Sequence, residues 1–396
     1  MRTKVVLILT FLLFSIFNAQ ASTQKVLYTF TGGLDGGQPF QAGVVFDQSG
    51  NLYGVTQSGG LYGAGTVFQL APSPAGGWTE NIIHNFALSS DGGRPQGGLS
   101  IDESGNLYGT AWYGPGGAGC GLVFQLVPSE SGWTFNVLHA FAGGPDGCVP
   151  QGDLLLFNGI IAGTTEIAGK FNQGTVFQMS TSGGAYKESP FEGKGGNTPE
   201  GIAWCGSDIG VCGTTMIGGK YWDGTLFGWW WWPTKPTARI TFGPSSKAGY
   251  LPIGDPASSG KAVYGVTAIG GVGNSGTVYQ LYQNNREGWS VRVLHSFGTF
   301  AADGVEPWGG VILDAEGNVY GTTQYGGSDP GSGGTVFKLT PGAKNKWTET
   351  ILYSFSGGAD GSEPTGSIIF DSAGNIYGTT YEGGAYGNGV VYEVTP

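Results

Sequence analysis

One phrase constrains the fold of this chain more than any other feature. It reads GNLYGVTQSGGLYGAGTVFQL at residues 50–70 and returns as GNVYGTTQYGGSDPGSGGTVFKL at residues 317–339. Aligned on the glycine of its Tyr-Gly-Thr core, the phrase falls at Gly54, Gly109, Gly163, Gly213, Gly265, Gly321 and Gly378, which gives seven units spaced 50 to 57 residues apart. Each unit holds four runs rich in β-branched and aromatic residues, bounded by Gly, Pro, Asp or Ser. In the second unit they are residues 97–102, 105–111, 121–126 and 134–141. An Asp-x-x-Gly-Asn segment separates the first two runs and reads as a tight hairpin turn. Four strands per repeat at this period predict a β-propeller blade, with a solenoid as the rival.

Ring closure separates the two. The last unit stops after its third run, GVVYEVTP, and the missing fourth run stands at the other end as KVLYTF, Lys25 to Phe30. It matches TILYSF at 350–355 in its Leu-Tyr-x-Phe pattern. A solenoid has no use for such a leftover. The expectation is an all-β, seven-bladed β-propeller of four-stranded blades, one domain over residues 22–396, its last blade closed by the N-terminal strand.

Composition agrees. Glycine is abundant (78 residues), charged residues are sparse (11%) and aromatics plentiful (13%), the reverse of a disordered chain. The net charge of −11 and the lack of clustered Lys and Arg argue against nucleic acid and against an anionic membrane surface. Residues 1–21 read as a signal peptide: Arg2 and Lys4 precede an apolar run from Val5 to Phe17, and Ala19-Gln20-Ala21 is a small-x-small cleavage site. Nothing after it is apolar enough to span a bilayer, so a secreted or cell-surface protein is expected. The four cysteines then point to disulfides. Taking the loops after the second and fourth strands as one face, the top, Cys120 and Cys148 fall in neighbouring top loops. Cys205 and Cys212 flank one hairpin turn. The expected pairs are Cys120–Cys148 and Cys205–Cys212.

The LYGTTxxGGxxGxGTVFxL-type segments, such as Tyr320 to Leu339 and Tyr377 to Val394, resemble the GloVer tandem-repeat proteins of bacteria. The resemblance covers about Lys25 to Pro396. It implies an exported bacterial protein, often surface-associated, and brings no established activity. The third and fourth units depart from the pattern: NGIIAGTTEIAG lacks the tyrosine, and Cys212 replaces it in DIGVCGTTMIGG.

Candidates for chemistry are few. His84, His139 and His295 occupy one position of the fourth strand, where other units carry Tyr28 and Tyr353. A catalytic base is a single residue with a particular partner, so three interchangeable copies read as structural. Asp35, Asp91, Asp146, Asp303 and Asp360 offer one carboxylate per loop, against the six to eight oxygens of a calcium site, and read as turn caps. The repeated threonines, such as Thr322-Thr323 and Thr379-Thr380, read as scaffold. No cofactor or metal is expected.

The variable positions say more. After the proline of each top loop stand Gln41, Gln96, Gln151, Glu200, Ile253, Trp308 and Thr365. After each Thr-Thr equivalent stand Gln57, Trp112, Glu166, Met216, Ala268, Gln324 and Tyr381, followed by Ser58, Tyr113, Ile167, Ile217, Ile269, Tyr325 and Glu382. Aromatic rings stack on sugar faces while amides and carboxylates bind hydroxyls. The expected ligand residues for a polysaccharide or cell-surface glycan are Trp112, Tyr113, Trp308, Gln324, Tyr325 and Tyr381. An alternative is glycoside hydrolysis by Glu166 and Glu200. A third is a protein-interaction scaffold using Trp229, Trp230, Trp231 and Trp232, which cannot all face the core of an extended segment. The plain reading of these residues is channel filling and packing under a loop.

Overall fold

The computed structural model describes residues 22–396 apart from 75, 117–118, 244–246, 285–287 and 329–332. The expected signal peptide, residues 1–21, lies outside the described residues. The chain forms seven four-stranded antiparallel sheets, the blades of a β-propeller. Six run in chain order from inner to outer strand. The seventh is built from Ile369–Phe370, Ile376–Thr380, Val390–Thr395 and, outermost, Thr23–Thr29. Thr23 pairs with Thr395 and Thr29 with Val390, so the ring closes as the sequence predicts. No helix among the described residues is long and apolar enough to cross a membrane.

The repeated phrase explains the blade. The glycine of Tyr-Gly-Thr sits opposite an aromatic residue of the third strand: Gly54 pairs with Phe68, Gly109 with Phe124, Gly378 with Tyr392. A Cβ on Gly54 would lie 2.5 Å from Cζ of Phe68, so only glycine leaves room for the ring. The two threonines that flank the loop between these strands bond to each other, as in Thr56–Thr66 at 2.8 Å and Thr323–Thr335 at 2.8 Å. A buried phenylalanine ends the fourth strand and donates its N–H to the glycine that opens the third, as from Phe86 to Gly65 at 3.1 Å and from Phe355 to Gly334 at 2.9 Å. Burying each such ring stabilises by about 1.5–3 kcal/mol.

A second contact joins blade to blade. The same glycine of the third strand packs on the top-loop proline of the next blade. A Cβ at Gly65 would lie 2.8 Å from Cδ of Pro95, and the pairs Gly121–Pro150, Gly174–Pro199, Gly224–Pro252, Gly276–Pro307, Gly334–Pro364 and Gly389–Pro39 repeat the approach at 2.3 to 2.9 Å. The residue before each proline adopts the left-handed region: Gln38, Arg94, Val149, Thr198, Leu251, Glu306 and Glu363 have φ between 54° and 59°. That conformation is costly for a non-glycine residue. A bond back to the preceding blade holds it, as in Glu363 N to Gly333 O at 2.7 Å and Val149 N to Cys120 O at 2.7 Å.

The rim residues behave as scaffold. Asp91 accepts from Ala87 N at 2.7 Å and meets His84 at 3.0 Å, and Asp360 accepts from Ser356 N and from the Tyr353 hydroxyl, both at 2.8 Å. Each aspartate thus caps its own turn and fixes the histidine or tyrosine of the fourth strand. Both expected disulfides are present. Cys120–Cys148 ties blades two and three across the top, and Cys205–Cys212 closes the hairpin of blade four. The tryptophan run alternates. Trp229 is buried and donates Nε1–H to Thr234 O at 3.0 Å, while Trp231 is half-buried against Phe157. Trp230 and Trp232 are 40% and 49% exposed, with the Lys187 ammonium 5.0 Å from the centre of the Trp232 ring.

Removing residues 22–30 should leave Val390–Thr395 as an open edge and uncover the side chains under Leu27 and Phe30. We expect a large fall in melting temperature or aggregation. A truncated chain that melts like its parent would refute closure by this strand.

Candidate functional site

Two strand positions per blade point into the top of the ring. The inner strand supplies the residue after the left-handed turn and its proline, and the second strand supplies the residue after its Thr-Thr pair, whose second member is Ala111 in blade two. Together they line a funnel of about 380 Å³ formed by Phe40, Gln41, Gln57, Gln96, Trp112, Gln151, Glu166, Glu200, Met216, Trp308 and Tyr381. This lies within the size range of small-ligand sites.

Of the residues expected to bind a ligand, Trp112, Trp308 and Tyr381 meet in this funnel. Tyr113, Gln324 and Tyr325 do not line it. Tyr113 comes one residue later on its strand and therefore faces the other way, under the Arg94 guanidinium at 5.6 Å. Tyr325 turns out for the same reason and is exposed on the top surface. Gln324 occupies the same position as Trp112 and Tyr381, but its amide is held by Glu363 at 2.8 Å. Phe40, at the inner-strand mouth of blade one, packs edge-on against Tyr381 with ring centres 5.3 Å apart.

The polar wall is only partly satisfied. Gln151 donates from Nε2 to Glu166 at 3.0 Å, but its Oε1 is buried with no hydrogen bond to protein, and Trp308 Nε1 is likewise buried and unpaired. Glu200 is buried beside this pair. Burial, with a smaller push from the charge of Glu166, raises its pKa to about 8 and keeps it protonated at neutral pH.

Beneath the mouth, Glu200 and Trp308 also border a constriction of about 20 Å³, enough for one water-sized group. Its floor includes Asp153, Asp255 and Ser367, from blades three, five and seven. The Asp153 carboxylate accepts from Gly98 N, and Asp255 accepts from Ile202 N at 2.9 Å and lies 3.5 Å from the Ser367 hydroxyl. Burial pushes both aspartates up, and the charge of Asp153 raises Asp255 further. Sequence reasoning missed this pair. The signal was available two residues beyond Gln151 and Ile253: Asp153, Asp255 and Ser367 stand where blades one, two and six have Gly43, Gly98 and Gly310. Neighbouring glycines make space: a Cβ on Gly98 would lie 2.8 Å from Oδ1 of Asp153, and one on Gly201 would lie 2.4 Å from Oδ1 of Asp255.

The fold and site define a seven-bladed β-propeller with a ligand-sized, aromatic and acid-lined funnel on its axis. The Gloeobacter/Verrucomicrobia repeat model matches residues 13–172 and 158–392, and the chain belongs to that family. Among curated proteins none matches. Among solved structures it resembles an ancestral GH74 enzyme, at 11% identity and TM-score 0.57 over 90% of this chain and 48% of that one. It also resembles a candidate 6-phosphogluconolactonase from Bacteroides fragilis, at 15% identity and TM-score 0.51 over 86% of this chain and 87% of the other. A gluconolactonase from Xanthomonas campestris aligns at 11% identity and TM-score 0.47 over 94% and 89%. At these identities the likeness establishes the propeller fold and nothing about activity.

The raised Glu200 has a measurable consequence. The folded chain keeps a proton that the unfolded chain, with an ordinary glutamate, releases near pH 4.5. The stability this contributes is complete below that value and is lost as pH rises through about 8. Glu200→Gln should therefore gain on the parent as pH rises from 5 to 9, by on the order of 4 kcal/mol at the alkaline end. Thermal melts across that range with parallel pH profiles would contradict the assignment.

Proposed function

We propose that the funnel binds a saccharide chain and that the protein is an exported glycan- or surface-binding module. The observation that carries this reading is the composition of one concave site. Phe40, Trp112, Trp308 and Tyr381 offer ring faces, Gln41, Gln57, Gln96 and Gln151 offer amides, and Gln151 Oε1 and Trp308 Nε1 are buried polar groups without protein partners. Rings beside unpaired donors and acceptors suit a ligand with apolar faces and many hydroxyls. The charged N-terminal start, the apolar run from Val5 to Phe17 and two disulfides support export.

One feature favours a second reading. Glu200 is held protonated beside Glu166, which accepts from Gln151 Nε2, and a protonated carboxyl beside a second one is the kind of pair that cleaves a glycosidic bond.

A glycan-array screen of the chain from residue 22 should find a binder. Trp112→Ala should then weaken binding at least tenfold, as loss of a stacked aromatic worth roughly 2 kcal/mol does. Trp112 is a cleaner choice than Trp308, which also packs on the core of blades five and six. If reducing ends are released from the bound glycan, and Glu200→Gln abolishes release but not binding, the hydrolytic reading replaces the binding module. Absence of binding to any glycan would defeat both.

A further inference from the structure

Five of the seven blade boundaries carry a small rim site. It is built from the histidine or tyrosine of one outer strand, the aspartate that follows it, and a residue near the start of the next outer strand. Most of these sites are self-contained. Phe135 stacks on His84 at 4.1 Å, and Tyr186 stacks on His139 at 3.9 Å. At the closure, the Tyr28 hydroxyl reaches both Asp35 at 3.1 Å and Glu80 at 3.3 Å. Between blades six and seven, Gln24 donates to the backbone oxygen of Asp360 at 3.3 Å.

The boundary between blades five and six is different. His295 lies on the outer strand Trp289–Ser296, Asp303 in the loop that follows, and Glu349 on the outer strand Trp347–Ser354. Here the third residue is a carboxylate, as Glu80 is at the closure, but it faces a histidine nitrogen rather than a tyrosine hydroxyl. The Glu349 side chain is 6% exposed and that of Asp303 fully buried. Neither Glu349 oxygen makes a hydrogen bond. Asp303 spends Oδ2 on the N–H and hydroxyl of Thr299, at 2.8 and 3.1 Å, leaving Oδ1 facing His295 Nε2 at 3.2 Å. Glu349 Oε2 lies 3.4 Å from the same nitrogen. One donor atom from each residue falls within 4.8 Å of the others.

We propose that His295, Asp303 and Glu349 form a binding site for a divalent transition-metal ion of the zinc type. An imidazole nitrogen and two carboxylate oxygens are a donor set that such ions accept, whereas calcium prefers oxygen alone. The two carboxylates match the ion's charge, and the ion relieves the cost of a buried carboxylate with no donor. Because the ligands come from two outer strands and the loop between them, the ion staples blade five to blade six at the rim. It is remote from the funnel and independent of the saccharide reading.

The test uses the whole chain from residue 22, stripped with chelator and titrated with zinc sulfate by calorimetry. One site is expected, with a rise in melting temperature on saturation. Glu349→Gln and His295→Gln should each weaken binding at least tenfold, while His84→Gln, in the stacked site, should leave it unchanged. Gln at position 349 keeps the side chain's shape and removes a buried charge, so this variant should remain folded, and its melt without metal checks that. Failure of the parent chain to bind zinc would overturn the proposal and leave a histidine shared between two carboxylates. Undiminished binding in both variants would overturn it as well.

Discussion

The approach of a third-strand glycine to the proline of the next blade is the contact on which the rest of the structure depends. It recurs at all seven boundaries, from Gly65–Pro95 round to Gly389–Pro39, and leaves no room for a Cβ. It brings together three things that the chain must keep in register: the loop ending one hairpin, the left-handed residue before the proline, and the start of the next inner strand. The carbonyl of the same glycine accepts from the phenylalanine of its own outer strand. One residue without a side chain therefore fixes both the inside of its blade and the spacing to the next. Local geometry repeated seven times sets the curvature of the ring, which no single blade could determine alone.

This explains what was legible in the sequence. Constraints that recur must be spelled out in every repeat, so the glycines, the Thr-Thr pair and the Asp-x-x-Gly-Asn turn are visible as a period. The closing strand was legible for the same reason, because Leu27, Tyr28 and Phe30 carry the outer-strand pattern out of place. Strand ends were less legible. In blades two to five the inner strand starts before the left-handed turn, at Gly93, Cys148, Asn197 and Tyr250, whereas Val45–Phe46, Ile312–Leu313 and Ile369–Phe370 in the other blades are short. Pairing across that turn depends on the loop opposite, which the strand's own residues do not encode.

The site was legible at the positions that vary, and only in part. Trp112 and Tyr381 reach the axis because they follow the second position of the Thr-Thr pair, held by Ala111 in blade two and Thr380 in blade seven, while Tyr113 and Tyr325 turn away with the pleat. Gln324 holds an axial position but is occupied by Glu363, a residue 39 positions later that spacing could not connect to it. Asp153 and Asp255 became visible only when three blades were superposed on one axis. A carboxylate beside a glycine in each of several distant segments looks unremarkable along the chain. Around a ring the same residues become neighbours, and their charges act on one another.

The pairing of Thr23 with Thr395 also orders events in time. The outermost strand of the last blade is the first part of the domain to leave the ribosome, and its partner is the last. Loop closure over such a span is slow compared with hairpin formation, because long-range pairing must first offset the entropy of the intervening chain. Six blades can form as hairpins while the seventh waits, its edge strand hanging from blade one. A ring built this way stays open until its final strand has been made, so the fold locks only after every other blade is available.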